Sequence, residues 1–112
     1  IPVPLHPSRK RKRGYNQAEC IAKGISDVLH IPVDTHTLYR VRRTKPQKKL
    51  NDIERKQNLQ GAFSVKCALP PNACILLVDD IYTTGSTVDE AARCLQAAGE
   101  CKVYVAAVAI GG

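Results

Sequence analysis

The chain has 112 residues, of which 44% are hydrophobic. This composition is typical of one soluble domain with its own core, and no apolar run reaches the roughly 20 residues of a membrane span, so we expect no membrane insertion. The formal net charge of +7 at pH 7 favours an anionic partner over a cationic one.

The predicted elements begin with a short strand at residues 1–5, followed by a basic loop, RKRKRGYNQ, at residues 9–17. Asn16 followed by Glu19 is typical of a helix start, and apolar residues then recur at helical spacing until Leu29, shortly before Pro32. Further along, the sequence predicts an extended segment at 38–41, a short helix at 51–58 capped by Asn51, and a strand at 62–65.

The last third of the chain predicts a strand–helix–strand unit. Residues 73–78 form a continuous apolar run, as in a strand buried on both faces of a parallel sheet. Thr87 and Glu90 have the spacing of a capped helix that ends before Gly99, and residues 102–110 form a second apolar run. The predicted fold class is therefore α/β, with a mostly parallel sheet flanked by helices.

The five cysteines are scattered and never spaced as CxxC. An odd, unpaired set argues against a disulfide framework or a zinc site within these residues, and favours a reduced, cytoplasmic protein. Cys74, Cys94 and Cys101 lie in apolar surroundings, and we expect them to be small buried thiols.

The positive charge is concentrated in residues 1–66, which hold 15 of the 17 Lys and Arg but only five of the ten acids. Residues 67–112 carry more acids than bases. This asymmetry predicts an anionic partner bound against the first part of the chain. A solvated basic surface without a partner is the alternative.

The stretch ILLVDDIYTTGST, residues 75–87, places Asp79 and Asp80 at the end of a predicted strand. Ligands of open parallel sheets bind beyond the carboxyl ends of strands, and two neighbouring carboxylates are costly to bury without one. The residues that follow offer hydroxyl and backbone N–H groups to a phosphate: Thr83, Thr84, Gly85, Ser86 and Thr87. Hydroxyl groups beside a phosphate are the chemistry of ribose 5-phosphate. A capped helix after an acidic turn, without a ligand, is the alternative.

This stretch resembles the phosphoribosyl pyrophosphate (PRPP) signature of type I phosphoribosyltransferases. With PVPLHP, RKRKRGYNQA, TKPQ and ERKQNLQGAF before it, nearly the whole chain is similar to the ComF family of competence-associated, phosphoribosyltransferase-like proteins. The matched positions are His6, Pro7, Arg9, Arg13, Gly14, Asn16, Gln17, Pro46, Gln47, Arg55, Asn58, Gly61 and Phe63. Members of the family commonly carry an N-terminal four-cysteine zinc module. We expect residues 1–112 to be the type I phosphoribosyltransferase-like (Rossmann-like) domain without that module.

The resemblance implies Mg²⁺-dependent binding of PRPP and transfer of its phosphoribosyl group to an acceptor nitrogen. Asp79 and Asp80 would be the catalytic residues, accepting hydrogen bonds from the ribose and holding Mg²⁺ directly or through water. The 5-phosphate would bind at residues 83–87. The pyrophosphate would bind at the basic loop, for which the implied residues are Arg9, Arg13 and Gly14.

Residues 44–58 match a loop that closes over the reaction centre in related enzymes. Gln47, Arg55 and Asn58 are the candidate lid residues, and they either reach the ligand or fix the loop. Purine transferases carry an aspartate where this chain has Thr83, so the resemblance implies no particular acceptor. Family context also implies a role without catalysis, in PRPP sensing or in binding single-stranded DNA beside a partner ATPase during transformation.

Overall fold

The computed structural model describes residues 1–6, 11, 14–42, 50–82 and 85–110, with only the backbone of Asp52, Arg55 and Ile110. The described elements, in chain order, are helix α1 (Gln17–Leu29), strand β1 (Leu38–Arg40), helix α2 (Asp52–Leu59), strand β2 (Phe63–Val65), strand β3 (Ala73–Tyr82), helix α3 (Ser86–Ala98) and strand β4 (Cys101–Ile110). These elements confirm the mixed α/β class. None of the described helices is long and apolar enough to cross a bilayer.

Strand β3 is the centre of a parallel sheet. It pairs in parallel with β4, from Ala73 opposite Cys101 to Tyr82 opposite Ile110. Residues 1–3 lie along its other side, where the Val3 amide donates to the Val78 carbonyl at 2.8 Å. Of the predicted strand 1–5, only these first residues pair with β3. Their parallel direction agrees with the predicted parallel sheet.

Helices pack on both faces of this sheet. Ile75 and Leu77 of β3 join a core that includes Val88, Ala91 and Leu95 of α3. Because side chains alternate along a strand, Leu76 and Val78 reach the opposite face, where they line a groove with Ala22 and Ile25 of α1. The apolar spacing of α1 and α3 therefore marks the faces that cover the sheet.

Strands β1 and β2 form a separate antiparallel pair that packs against α3. Leu38 lies opposite Val65 and Arg40 opposite Phe63, with the Arg40 guanidinium carbon 4.8 Å from the Phe63 ring centroid. The Gly61 amide donates to Glu90 of α3 at 3.3 Å. These contacts hold the β1–β2 pair on the side of the sheet on which α3 packs.

The predicted caps at Asn16 and Asn51 are present. The Asn51 side chain accepts from the Glu54 amide at 2.8 Å, as predicted. The Asn16 side chain instead accepts from the Ala18 amide at 3.0 Å. Both asparagines still satisfy an N–H group that the first helical turn leaves open.

Three sequence predictions need correction. Strand β3 extends to Tyr82 rather than ending at residue 78, because β4 continues to supply pairing partners beside it. Helix α3 begins one residue before Thr87, which lies in its first turn, because Gly85 takes the N-cap position. Cys74 is exposed, because it lines the open groove between β3 and α1, while the other two cysteines expected to be buried are only half-buried.

Candidate functional site

Asp79 and Asp80 lie in the last part of β3, and their carboxyl groups interact with each other. Asp79 lines a small pocket with Gly85, Ser86 and Thr87 at the start of α3. Asp80 lines a groove with Gln17, Cys20 and Ile21 of α1, and with Val108 of β4. The acid pair therefore lies close to the carboxyl end of β3, near the position at which open parallel sheets bind ligands.

The environment of Asp79 disfavours its charged form. Burial, followed by hydrogen bonding and charge repulsion from the Asp80 carboxyl group, raises the pKa of Asp79 from 3.8 to about 7. The Asp80 amide, which donates to Asp79 Oδ1 at 2.9 Å, and the positive charge of Arg40 lower this pKa in part. A bound hydroxyl donor or cation would stabilise the carboxylate that the protein alone destabilises.

The start of α3 is shaped by Gly85. Its φ of +83° is the left-handed conformation that favours glycine, and its carbonyl accepts from the Asp89 amide at 2.8 Å to begin the helix. As an N-cap residue, glycine brings no side-chain oxygen to the first-turn N–H groups. Half-buried Ser86 and Thr87 follow it in the same pocket. Such a helix start suits an anion, since N–H groups and the positive end of the helix dipole converge there.

Tyr82 lies at the same place, and sequence reasoning missed it. A Cβ atom at Gly85 would lie 2.5 Å from the Tyr82 hydroxyl oxygen, so this hydroxyl occupies the space next to the glycine. Thr83 and Thr84, which connect these two residues and were predicted to bind phosphate, lie outside the described residues. The signal in the sequence was the position of Tyr82 between the acid pair and the glycine.

Arg40 is a second residue without a signal in the sequence. It is 9% exposed, stacks on Phe63, and acts electrostatically on Asp79 across the space between β1 and β3. Its segment, LYRVRR, has the composition of an ordinary basic strand and so does not indicate a site. Only the packing of the β1–β2 pair brings this arginine toward the acids.

The candidate pyrophosphate loop is described in part. Arg9 and Arg13 lie outside the described residues. Gly14 is exposed with a φ of +82°, and the Asn16 side chain joins the loop to residues 1–3 by donating to the Val3 carbonyl at 3.1 Å. The described end of the loop thus approaches the sheet beside β3, while the placement of its arginines stays a prediction.

Of the candidate lid residues, the structure describes the side chain of Asn58 alone. Gln47 lies outside the described residues, and only the backbone of Arg55 is described. Asn58 is half-buried on α2, and its carbonyl, like that of Gln60, accepts from the Arg42 guanidinium. This contact uses the backbone of Asn58, so whether its side chain reaches the ligand or fixes the loop stays a prediction.

The acid pair has the chemistry of a magnesium site. Mg²⁺ prefers oxygen ligands, and it is commonly held by one or two carboxylates together with the phosphates of a substrate. Asp79 and Asp80 supply the carboxylates near the carboxyl end of β3, and Asp79 shares a pocket with a helix start that suits a phosphate. The residues present therefore fit this ion, and Asp79 and Asp80 would hold it.

The curated proteins that resemble this chain have names that point to one family. Neither a family model nor a solved structure matches the chain. The chain is 39% identical over 107 residues to Competence protein F of Haemophilus influenzae. This match covers 94% of the chain and 47% of that protein. The chain is 36% identical to DNA utilization protein YhgH of Escherichia coli strain K12, over 94% of this chain and 46% of the relative.

A third relative, Competence protein ComFC of Bacillus subtilis, is 36% identical over 89% of this chain and 39% of its own length. The chain thus spans about half the length, or less, of the curated relatives it matches. The similarity extends over nearly all of its residues, from the basic loop through the acid pair. The chain therefore belongs to the ComF family of competence and DNA-utilization proteins.

Proposed function

We propose that this domain binds PRPP with Mg²⁺ and acts as a phosphoribosyltransferase-like protein. The observation that supports this most is the pocket in which Asp79 meets Gly85, Ser86 and Thr87. In this pocket the Asp79 carboxylate can accept hydrogen bonds from sugar hydroxyls, and the start of α3, which suits a phosphate, lies one short loop away. Ribose 5-phosphate, the common part of PRPP and its products, carries both complementary groups.

In this proposal the protein contributes mainly position and charge. Asp79 and Asp80 accept hydrogen bonds from the ribose hydroxyls and so fix the ring between the two phosphate sites. Their negative charge also stabilises the positive charge that develops on the ribose as the bond to pyrophosphate breaks. Bound Mg²⁺ would supply neutralisation of the leaving pyrophosphate. The acceptor is a ring nitrogen of a base or nucleotide, and a screen of bases for pyrophosphate release tests whether transfer occurs.

The basic loop gives a first binding prediction. Replacing Arg9 and Arg13 with glutamine should weaken PRPP more than ribose 5-phosphate, because only PRPP carries the pyrophosphate. A hydrogen bond to a charged group contributes about 1.5–3 kcal/mol, so the loss for PRPP should be about tenfold or more. Calorimetric titration with both ligands, with and without Mg²⁺, measures it. An equal loss for both ligands would refute the pyrophosphate assignment.

A second function is favoured by the names of the relatives and by the charge of residues 1–66. We propose that the same domain binds single-stranded DNA through its basic loop and acts beside a partner ATPase. The relatives are named for competence and for DNA utilization. Exposed Arg11 lies within the run RKRKR, which suits contact with a phosphate backbone.

The DNA prediction uses the residues between the two proposed pyrophosphate arginines. Replacing Lys10, Arg11 and Lys12 with glutamine should lower the affinity for single-stranded DNA and flatten its salt dependence, by a slope of about 0.7 for each phosphate that the protein no longer neutralises. Fluorescence anisotropy at several salt concentrations measures both quantities. PRPP affinity should stay unchanged. An equal loss of PRPP affinity would mean that DNA and PRPP bind to the same residues.

A further inference from the structure

Tyr82 is placed by the strand and not by a free loop. It is the last residue of β3, and it pairs with Ile110 of β4, so its backbone belongs to the parallel sheet. From there its ring reaches across the connection to α3, and its hydroxyl lies against Gly85. The ring lines the same pocket as Asp79, Ser86 and Thr87.

The contact gives Gly85 a second reason to be glycine. Its positive φ already disfavours other residues, and the Tyr82 hydroxyl occupies the space that a Cβ atom would need. A phenol hydroxyl is thereby brought to the first residue of a helix whose N-cap supplies no side-chain oxygen. A hydroxyl can donate one hydrogen bond while it remains neutral.

We propose that the Tyr82 hydroxyl donates a hydrogen bond to the phosphate bound at the start of α3, which makes Tyr82 a specificity-determining residue for sugar phosphomonoesters. The inference rests on the proposed function and adds a residue to the same site. Asp79 lines this pocket and would repel an anion. A neutral donor at its rim, about one-third exposed, supports the phosphate without adding charge near the acids.

The test is Tyr82→Phe, which keeps the ring and removes only the hydroxyl. Affinities for ribose 5-phosphate and for PRPP should each fall by about tenfold, since both share the 5-phosphate. Tyr104→Phe is the matched control, because Tyr104 is an exposed tyrosine of β4 on the groove beside α1, and it should leave both affinities unchanged. A loss confined to PRPP would overturn the proposal, because it would place the hydroxyl at the pyrophosphate.

Tyr82→Ala separates donation from obstruction. If the hydroxyl instead blocks the site, removing the whole side chain should raise the affinity for ribose 5-phosphate, and that result would overturn the proposal. A second measurement begins with the wild-type protein. The chain has four tyrosines and no tryptophan, so ribose 5-phosphate should change the tyrosine fluorescence of the wild-type protein, and Tyr82→Phe should abolish this change.

The two levels of the proposal fail differently. If wild-type protein binds neither ribose 5-phosphate nor PRPP, the proposed function is wrong and the role of Tyr82 falls with it. If the wild-type protein binds both and Tyr82→Phe binds them equally well, only the role of Tyr82 is refuted.

Discussion

Asp79→Asn combined with Asp80→Asn is expected to abolish PRPP binding while the domain stays folded. Both acids lie near the carboxyl end of β3, where each lines a pocket, and neither belongs to the apolar core. Asparagine keeps the size of the side chain but removes the charge that holds the ribose hydroxyls and Mg²⁺. Calorimetric titration with PRPP and Mg²⁺, together with circular dichroism of the variant, measures both parts.

The variant should also be more stable than the wild type at pH 8. The pKa of Asp79 is raised to about 7 in the folded protein, so the folded state binds this proton more tightly than the unfolded chain does. Stability from this group is therefore lost as the pH rises from about 4 to about 7. A shift of this size corresponds to at most about 4 kcal/mol, which partial exposure of the carboxyl group reduces to about 2 kcal/mol.

Unfolding midpoints at pH 4 and pH 8 test the sign. The variant and the wild type should differ little at pH 4, where Asp79 is already neutral, and the variant should be more stable at pH 8. Asp27→Asn, at an exposed position of α1, is the control that removes an acid elsewhere. If the double variant unfolds while its folded fraction still binds PRPP normally, the acids have a structural role and the proposed site is wrong.

The sequence predicts most of the elements because their signals are local. Helix α1 has an asparagine cap and an apolar stripe, and β3 and β4 are apolar runs separated by one helix. The acid pair and Gly85 could be assigned to the same site because they follow one another on a strand–loop–helix unit. In such a unit, distance along the chain is a good guide to distance in space.

What could not be predicted depends on contacts between distant segments. Arg40 approaches Asp79 only because the β1–β2 pair packs against α3, and nothing in the sequence near either residue specifies this. The extension of β3 through the acids depends on the length of its partner β4. The exposure of Cys74 depends on the groove that α1 leaves open beside β3. Local composition carries no signal for any of these.

Replacing Gly85 with alanine is expected to weaken ribose 5-phosphate and PRPP alike, by about tenfold or more. The positive φ strains any L-residue, and the new Cβ atom would meet the Tyr82 hydroxyl at 2.5 Å. Either the ring moves away or the start of α3 shifts, and both changes disturb the pocket in which we place the phosphate. Titration with the two ligands measures the loss.

Gly61→Ala is the matched control for this change. Gly61 also has a positive φ, of +68°, but among the described residues nothing lies within 4 Å of its Cβ position. The positive φ should therefore cost each variant about 1–2 kcal/mol of stability, with a further loss in Gly85→Ala from the contact with Tyr82, and only Gly85→Ala should reduce ligand affinity. Undiminished affinity in Gly85→Ala would move the phosphate site elsewhere, first to the arginine-rich loop.

The double variant Gly85→Ala with Tyr82→Phe connects this prediction with the role of Tyr82. If the alanine acts mainly by displacing the Tyr82 hydroxyl, the two substitutions remove the same hydrogen bond, and their combined effect on affinity should be less than the sum of the two. Full additivity would mean that Gly85 and Tyr82 act on the phosphate independently. In that case the glycine serves through close approach of its backbone to the ligand, and the hydroxyl makes a separate contact.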